Sequence, residues 1–594
     1  MRLYRALPPE HRGGGFPVAL EAVADLLCCT TRNAVFLLRK WEANGWISWK
    51  PGSGRNHRST LRLLAPPENV LFEQAQKLFG EQKADRAFAL LADDRAAEAL
   101  FASWLSQRMG YRVQPAEHGQ TQRESLHFPF YRSLQTVDPA FAVRQTEYHF
   151  IRQLFDTLLL PGTAGEARPH LCHAWEKNDS HTRWTFYLRK GVRFHDSRSF
   201  TSEDAVRTLK RLVDPRLGSP HRHLYRNLGA IEPDGPYRLS IETHGPEPLL
   251  AEILAMPSSS IVSAVSKDSA APAGTGPYRL IRSDRNGAVL EAFDSYFLGR
   301  PHLDEVAMWV LPEPANSGES AEPRIRFVPF ASDAADTAAA PAEPADREPE
   351  RIRVRERLEL KYLVFNMRGA GPQRSRSFRS AVARTIASAD IAGELGANRA
   401  AAEEWRTSRE NGAGSNSAAF RLPEAAGAAE DGCSTGETPL RLRSYEMPLH
   451  LEDMRWIAGR LGQDGIGCAP AALAFERWTE FAEPADLLLG SLVLHPSSEL
   501  SELALFAESS SALRACLTDG QRDAVDAEIA GLRSDPEPAA RRGRLDRILA
   551  ELRERFLWIP LYTTFQRTGY DARLENMRLD PYAFPEYRDL WMRK

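Results

Sequence analysis

The sequence predicts an α/β multidomain chain, with a small basic head on a larger, mildly acidic body. Three observations carry that prediction. At 594 residues the chain is too long for one hydrophobic core. Charge is unevenly placed: residues 1–64 hold ten Lys/Arg against four Asp/Glu, a net +6 in a chain whose total is −3, so the head is suited to a polyanion. From about Leu126 to Leu311, strand-like runs alternate with helical ones, as in mixed α/β domains.

The head has a specific order of signals. Leu20, Val23, Ala24 and Leu27 mark a first amphipathic helix, followed by a break at residues 28–30. Thr30 is placed to cap a second helix, in which Ala34, Leu37, Leu38 and Trp41 recur at helical spacing and form its buried face. Thr31, Arg32, Asn33, Phe36, Arg39 and Lys40 fall opposite or beside that face, and Gly45 stops the helix. An alternating strand at residues 46–49, a turn-rich stretch PGSGRNHRS and a returning strand TLRLL complete a basic hairpin. Helix, turn, capped helix and hairpin in this order predict a winged helix-turn-helix that binds double-stranded DNA. Lys50, Arg55 and Arg58 on the wing would meet phosphates, which supply affinity. Arg32, Asn33 and Arg39 would reach base edges, which supply discrimination. A small helical domain with a solvated basic face is the plainer alternative. Cys28 and Cys29, between the two helices, are expected to be packed core residues rather than a redox pair.

The remainder of the chain narrows the function class. No apolar run is long enough to span a membrane, and the opening MRLYRALPPEHRGGGFP has no apolar signal-peptide core, so a cytoplasmic location is expected. Six scattered cysteines suggest neither a disulfide framework nor a zinc site. Residues 66–120 read as a helical connector between a DNA-binding domain at 1–65 and the body at 121–594. Residues 331–350 and 396–439, rich in Ala, Pro, Glu and Gly, read as excursions weak in core-forming residues. No phosphate-binding loop, nucleophile elbow or HExxH motif occurs, so an enzyme is not expected, and no cofactor or metal is implied. His170, Cys172 and His173 could be read as a metal cluster, and His221 and His223 are expected on a polar loop. The arginine-rich QRSRSFRSAVART at 373–385 could hold an anion at a helix start or simply form a solvated basic face.

The body carries a resemblance. Pro169, Leu171, Trp175, the run from Trp184 to Arg189, Gly191, Phe194, His195, Asp196, Phe200, Thr201, Glu203 and Asp204 fall in an order similar to the signature region of the family-5 solute-binding proteins, the dipeptide, oligopeptide and nickel type. GTGPYRL at 274–280 and AFDSYFLGRPHLDEV at 292–306 resemble two further elements of that family, and residues 133–159 resemble its opening. The resemblance implies a two-lobed, type II periplasmic-binding-protein-like domain. Lobe 1 is expected at about 121–310 and 555–594, and lobe 2 at about 311–554. A winged head followed by this domain resembles SgrR-type transcriptional regulators, which implies a sensor of a small ligand, a sugar phosphate or a short peptide. A homodimer is a further expectation. The second reading is the substrate-binding component of an oligopeptide/dipeptide-type ABC transporter.

Peptide-binding members of the family carry an acidic residue in the second lobe. Here the comparable stretch, PADLLLGSLVLHPSSELSE, offers Asp486 as the ligand-binding candidate. Gly274, Gly276 and Pro277 are the hinge candidates, since glycine admits unusual backbone angles and proline stiffens the next step. The apolar strand at 556–565 is expected to return the chain to the first lobe.

Overall fold

The computed structural model describes residues 15–52, 58–81, 83–92, 94–106, 109–114, 122–130, 132–162, 166–263, 272–285, 287–310, 325–328, 350–355, 358–387, 390–396, 398–402 and 438–593. The excursions expected at 331–350 and 396–439 lie largely outside these residues, as does Arg55.

The head is built from β1 (Phe16–Val18), α1 (Leu20–Leu26), α2 (Thr31–Ala43), β2 (Ile47–Lys50) and β3 (Ser59–Leu63). β3 lies between β1 and β2, antiparallel to both. The Thr30 side chain accepts a hydrogen bond from the Asn33 amide at 3.3 Å, the cap its position predicts. Gly45 closes α2 with φ +73°, a left-handed angle that suits glycine. Ala34 and Leu38 are fully buried, while Leu37 and Trp41 are only half-buried. Cys28 differs from expectation. It is exposed at φ 54°, because it forms the corner between the two helices rather than facing the core, and Cys29 beside it is half-buried.

Residues after the head form α3 (Pro67–Gly80), α4 (Ala84–Leu91) and α5 (Arg95–Ser106), a helical trio with its own core of Leu71, Ala75, Phe79, Leu91, Phe101 and Leu105. The connector is therefore shorter than 66–120. β4 (Gly110–Gln114) already pairs antiparallel with β5 (Arg123–Phe130) at the edge of a body sheet. In that five-stranded sheet, β5 runs parallel to Glu305–Val310, and Gly287–Ala292 and Tyr278–Asp284 follow outward.

A four-stranded antiparallel sheet, ordered Leu228–Pro233, Arg238–Thr243, Arg183–Leu188, Cys172–Lys177, belongs to the same part of the chain. Alternation decides its inner face: Trp184, Phe186 and Leu188 are buried. Thr201 caps the helix Ser202–Val213 through a capping box with Asp204.

The second lobe is a six-stranded sheet ordered Arg399–Ala401, Trp558–Thr564, Glu359–Phe365, Leu487–Val493, Leu440–Tyr445, Cys468–Leu473. This corrects the expected lobe boundary. Trp558–Thr564 pairs antiparallel with Glu359–Phe365 inside the second sheet, because Trp558, Ile559 and Tyr562 complete that lobe's core. The return to the first lobe comes one strand later. Gln566–Asp571 pairs with Glu350–Arg355, and Tyr582, Phe584, Tyr587 and Leu590 then pack into the five-stranded sheet's core. Arg355 pairs with Gln566, and the Leu358 amide donates to the Thr564 carbonyl at 2.9 Å, so the described residues at the two passages between the lobes lie side by side.

The glycines assigned to a hinge do another job. A side chain at Gly274 would meet the Leu154 carbonyl oxygen at 2.0 Å, and one at Gly276 the Leu154 carbonyl carbon at 2.5 Å. They let one first-lobe segment lie directly against the end of a first-lobe helix, α6 (Gln145–Leu154), and are not at a crossing.

Candidate nucleic-acid interface and solute cleft

On α2 the side chains of Thr31, Arg32, Asn33, Phe36, Arg39 and Lys40 are all exposed, with Phe36 at 63% among the most exposed large apolar groups. The burial of Ala34 and Leu38 beneath them fixes which face of the helix is presented. On the wing, Lys50 and Arg58 are exposed. The wing is tied to α2 by the Trp49 amide, which donates to Glu42 Oε1 at 2.9 Å. The head is tied to the trio by Trp46, whose Nε1 donates to Glu73 Oε2 at 3.4 Å.

The second site lies between the lobes, where two adjoining cavities share Arg144, Glu359 and Tyr445. One lies beside the crossings, against Leu358, Thr564 and Gln566. The other is framed by Tyr148 from the first lobe and by Phe475, Trp478, Ser491, His495 and Glu508 from the second. Arg132 holds Glu147 beneath the cleft in a two-pronged ion pair of 2.7 and 3.0 Å. Burial opposes the charge on Glu147, but Arg132, Arg144 and the Gln135 amide outweigh it and hold the carboxyl below its ordinary range. The Arg144 guanidinium lies over the Phe475 ring, 3.4 Å from its centroid. Glu359 is engaged by Lys361, which also donates to Ser491 Oγ at 3.0 Å. His495 is pushed down to about 3 by burial and by the neighbouring His221, so it is neutral.

Asp486 lines neither cavity. Its carboxylate accepts from the Arg441 amide at 2.9 Å and from the Arg441 guanidinium at 2.8 and 3.0 Å, so it locks two neighbouring strands together. His221 and His223 are not on a polar loop. His221 is buried, bonded to the Ala142 carbonyl at 2.6 Å, with Glu508 of the other lobe 3.7 Å away. His223 is buried enough to be pushed well down. His170 hydrogen-bonds Asp156 at 2.6 Å, while His173 is exposed on its strand. Among the described residues no group of His, Cys, Asp or Glu is arranged to hold a metal. In the arginine-rich helix, Arg379 donates to the carbonyls of Arg555, Gln373 and Arg374 at 2.9–3.0 Å, and Arg376 to that of Glu554. These arginines satisfy carbonyls at helix ends rather than await an anion. Arg144, Phe475 and Trp478 were not singled out from sequence, because no local motif links residues so far apart.

Comparison with known proteins agrees with this architecture. The domain described as sugar transport-related sRNA regulator N-term matches residues 1–115, and that of bacterial extracellular solute-binding proteins, family 5, matches residues 166–413. The YhjP protein of Bacillus subtilis is 27% identical over 596 residues, 97% of this chain and 96% of that one. The HTH-type transcriptional regulator SgrR of Yersinia enterocolitica is 30% identical over 312 residues, 51% of this chain and 53% of its own length, so the chain matches about half the length of that relative. Among solved structures, NikA from Brucella suis, in complex with Fe(III)-EDTA, has a TM-score of 0.63 at 18% identity, covering 79% of this chain and all of that one. The oligopeptide-binding protein AppA from Bacillus subtilis, in complex with a nonapeptide, has a TM-score of 0.63 at 15% identity, covering 79% of this chain and 99% of that one. These two give the fold of the body, a type II periplasmic-binding-protein architecture. The chain thus carries, in order, a segment matching the N-terminal domain of sugar transport-related sRNA regulators and a segment matching family-5 solute-binding proteins.

Proposed function

We propose that this chain is a cytoplasmic, ligand-responsive transcription regulator, which grips duplex DNA with α2 and the wing and takes a small solute between its lobes. The observation that carries the reading is a capped helix with its polar and basic face exposed, held on the same chain as a two-lobed solute-binding body. The transporter reading has no use for such a head. The families matched are regulatory and solute-binding rather than enzymatic.

Sugar phosphates, the class the sequence resemblance implies, and short peptides, as AppA holds a nonapeptide, are the ligand classes to test, and a homodimer is the assembly a two-fold operator would require. The movable joint lies where Leu358 and Thr564 of the second lobe adjoin Arg355 and Gln566, not at the segment 274–277. Ligand changes DNA binding only if it prefers one lobe arrangement. A tenfold effect on operator affinity needs about 1.4 kcal/mol of such preference. The test is a gel shift of the full chain on its own promoter region across a salt series. A log–log slope of several units is expected, at about one per phosphate contact, and a flat response sinks the reading.

A further inference from the structure

The cavity framed by Tyr148 and Trp478 has a one-sided chemistry. Tyr148, Tyr445, Phe475 and Trp478 give it aromatic walls. Tyr445 sits edge-on to Phe475, with centroids 5.1 Å apart, and 6.0 Å from Trp478. Its carboxylates are Glu359 and Glu508. Among the described residues no lysine lines it, its histidine is the neutral His495, and its one guanidinium is that of Arg144. That guanidinium is already seated on an arene, 3.4 Å from the Phe475 centroid.

Arenes present negative faces and attract cations, more strongly where water is excluded. An anion entering here would meet Glu508, a Glu359 already paired with Lys361 behind the wall, and a lining cation committed to Phe475. A cation would meet aromatic faces and carboxylates together. Arg144 precedes α6 in the first lobe and Phe475 lies in the second, so the stack also bridges the lobes, and Arg144 lines both cavities.

We infer that this cavity is a site for a small organic cation, an amine or guanidinium compound, and that Arg144 is a resident occupant which such a ligand displaces. The inference rests on the reading of the inter-lobe cleft as the solute site. Glu508 supports it. Burial pushes its carboxyl up against the opposing pull of His221, and Ser510 donates to it at 2.7 Å, so it gains most from a cation brought alongside. Displacing Arg144 would join the two cavities and exchange a bond within the chain between the lobes for one made through the ligand.

The test is calorimetric titration of the full chain with agmatine and, separately, with glucose 6-phosphate. Wild type is compared with Arg144→Ala, Arg144→Gln and Phe475→Leu, each first shown to unfold cooperatively. Emptying the cage should tighten agmatine binding about tenfold in both Arg144 variants, and losing the platform in Phe475→Leu should weaken it about tenfold. Two results would overturn the inference: agmatine affinity that does not rise in either Arg144 variant, or glucose 6-phosphate binding to wild type that vanishes with Arg144. The second result would leave the cleft as the solute site and change only its ligand class. Failure of the regulator reading shows instead in the gel shift, whatever agmatine does.

Discussion

Phe79 of the helical trio packs at a tilt against Trp309 at the end of a central strand of the first lobe, with ring centroids 4.8 Å apart. Trp309 is itself pinned, donating Nε1 to His127 at 3.3 Å and lying under the Arg282 guanidinium at 4.8 Å. The same helix receives Trp46 of the head through a hydrogen bond to Glu73, so the trio touches both the head and the first lobe. If ligand signals to α2, this is the route expected to carry it.

Removing that contact should uncouple the ends of the molecule. Phe79 is only 8% exposed. Phe79→Ala should destabilise the trio by about 3–5 kcal/mol, the range for a large core truncation. Affinity for operator DNA should stay near wild type while any effect of ligand on it is lost. Limited proteolysis and the gel shift with and without ligand read both; an unchanged ligand response would show that the signal takes another route.

The exposed face of the head should split into two classes. Arg32→Ala and Arg39→Ala should lower discrimination between operator and random DNA, by about 1–3 kcal/mol for a well-placed base contact. Lys50→Ala and Arg58→Ala should weaken binding to both DNAs alike and flatten the salt dependence by about one unit each. Competition binding on the two DNAs separates the classes, and equal losses in all four variants would contradict the assignment.

The lobes share a buried ion pair. Arg533 Nη1 meets Glu247 Oε2 at 3.0 Å, and its other nitrogen donates to the carbonyls of His223 and Leu224 at 2.7 and 3.1 Å. Burial pushes the Glu247 carboxyl up and the Arg533 guanidinium down despite the pairing, so desolvation outweighs attraction. Arg533→Ala should cost about 3–5 kcal/mol in urea unfolding, because Glu247 is left buried alone. The pair Glu247→Leu with Arg533→Met should cost much less. If the double variant is as unstable as the single one, the pair is a true source of stability.

Acid should weaken the fold through buried histidine. His495 stays neutral down to about pH 3 in the folded chain, while an exposed imidazole titrates near 6.5. Between those values the unfolded chain binds a proton that the folded chain refuses, so stability falls as pH falls, by about 1.4 kcal/mol per unit for one such group. His223 and His450 are pushed down in the same direction, again by burial. His495→Phe should therefore reduce, not abolish, the loss of urea midpoint between pH 7 and pH 5; a variant as acid-sensitive as wild type would refute the linkage.

Gly274→Ala and Gly276→Ala should lower stability by about 1–3 kcal/mol through overpacking against Leu154. Scattering by the full chain with ligand bound should then show the same compaction in variant and wild type. A change in compaction without a loss of stability would restore these glycines to a hinge role.

The sequence alone determined what is local. Thr30 as a cap, Gly45 as a stop and the alternation of Trp184, Phe186 and Leu188 each depend on neighbours within a few residues, so their patterns are readable in one dimension. The ordered motifs from Pro169 to Val306 made the body's resemblance to family-5 solute-binding proteins legible for the same reason. What only the tertiary structure decided is pairing over distance. Trp558–Thr564 carries no mark of which sheet it joins, and its burial in the second lobe follows from the partner Glu359–Phe365, about two hundred residues away. Asp486, acidic and in a family-like stretch, is taken up by Arg441, which the fold brings against it. His221, polar by type, is buried because the Ala142 carbonyl satisfies it. Arg144 and Phe475 meet only because two lobes close on one another, and burial, charge state and neighbours at such a site are properties of the assembled chain that no stretch of sequence contains.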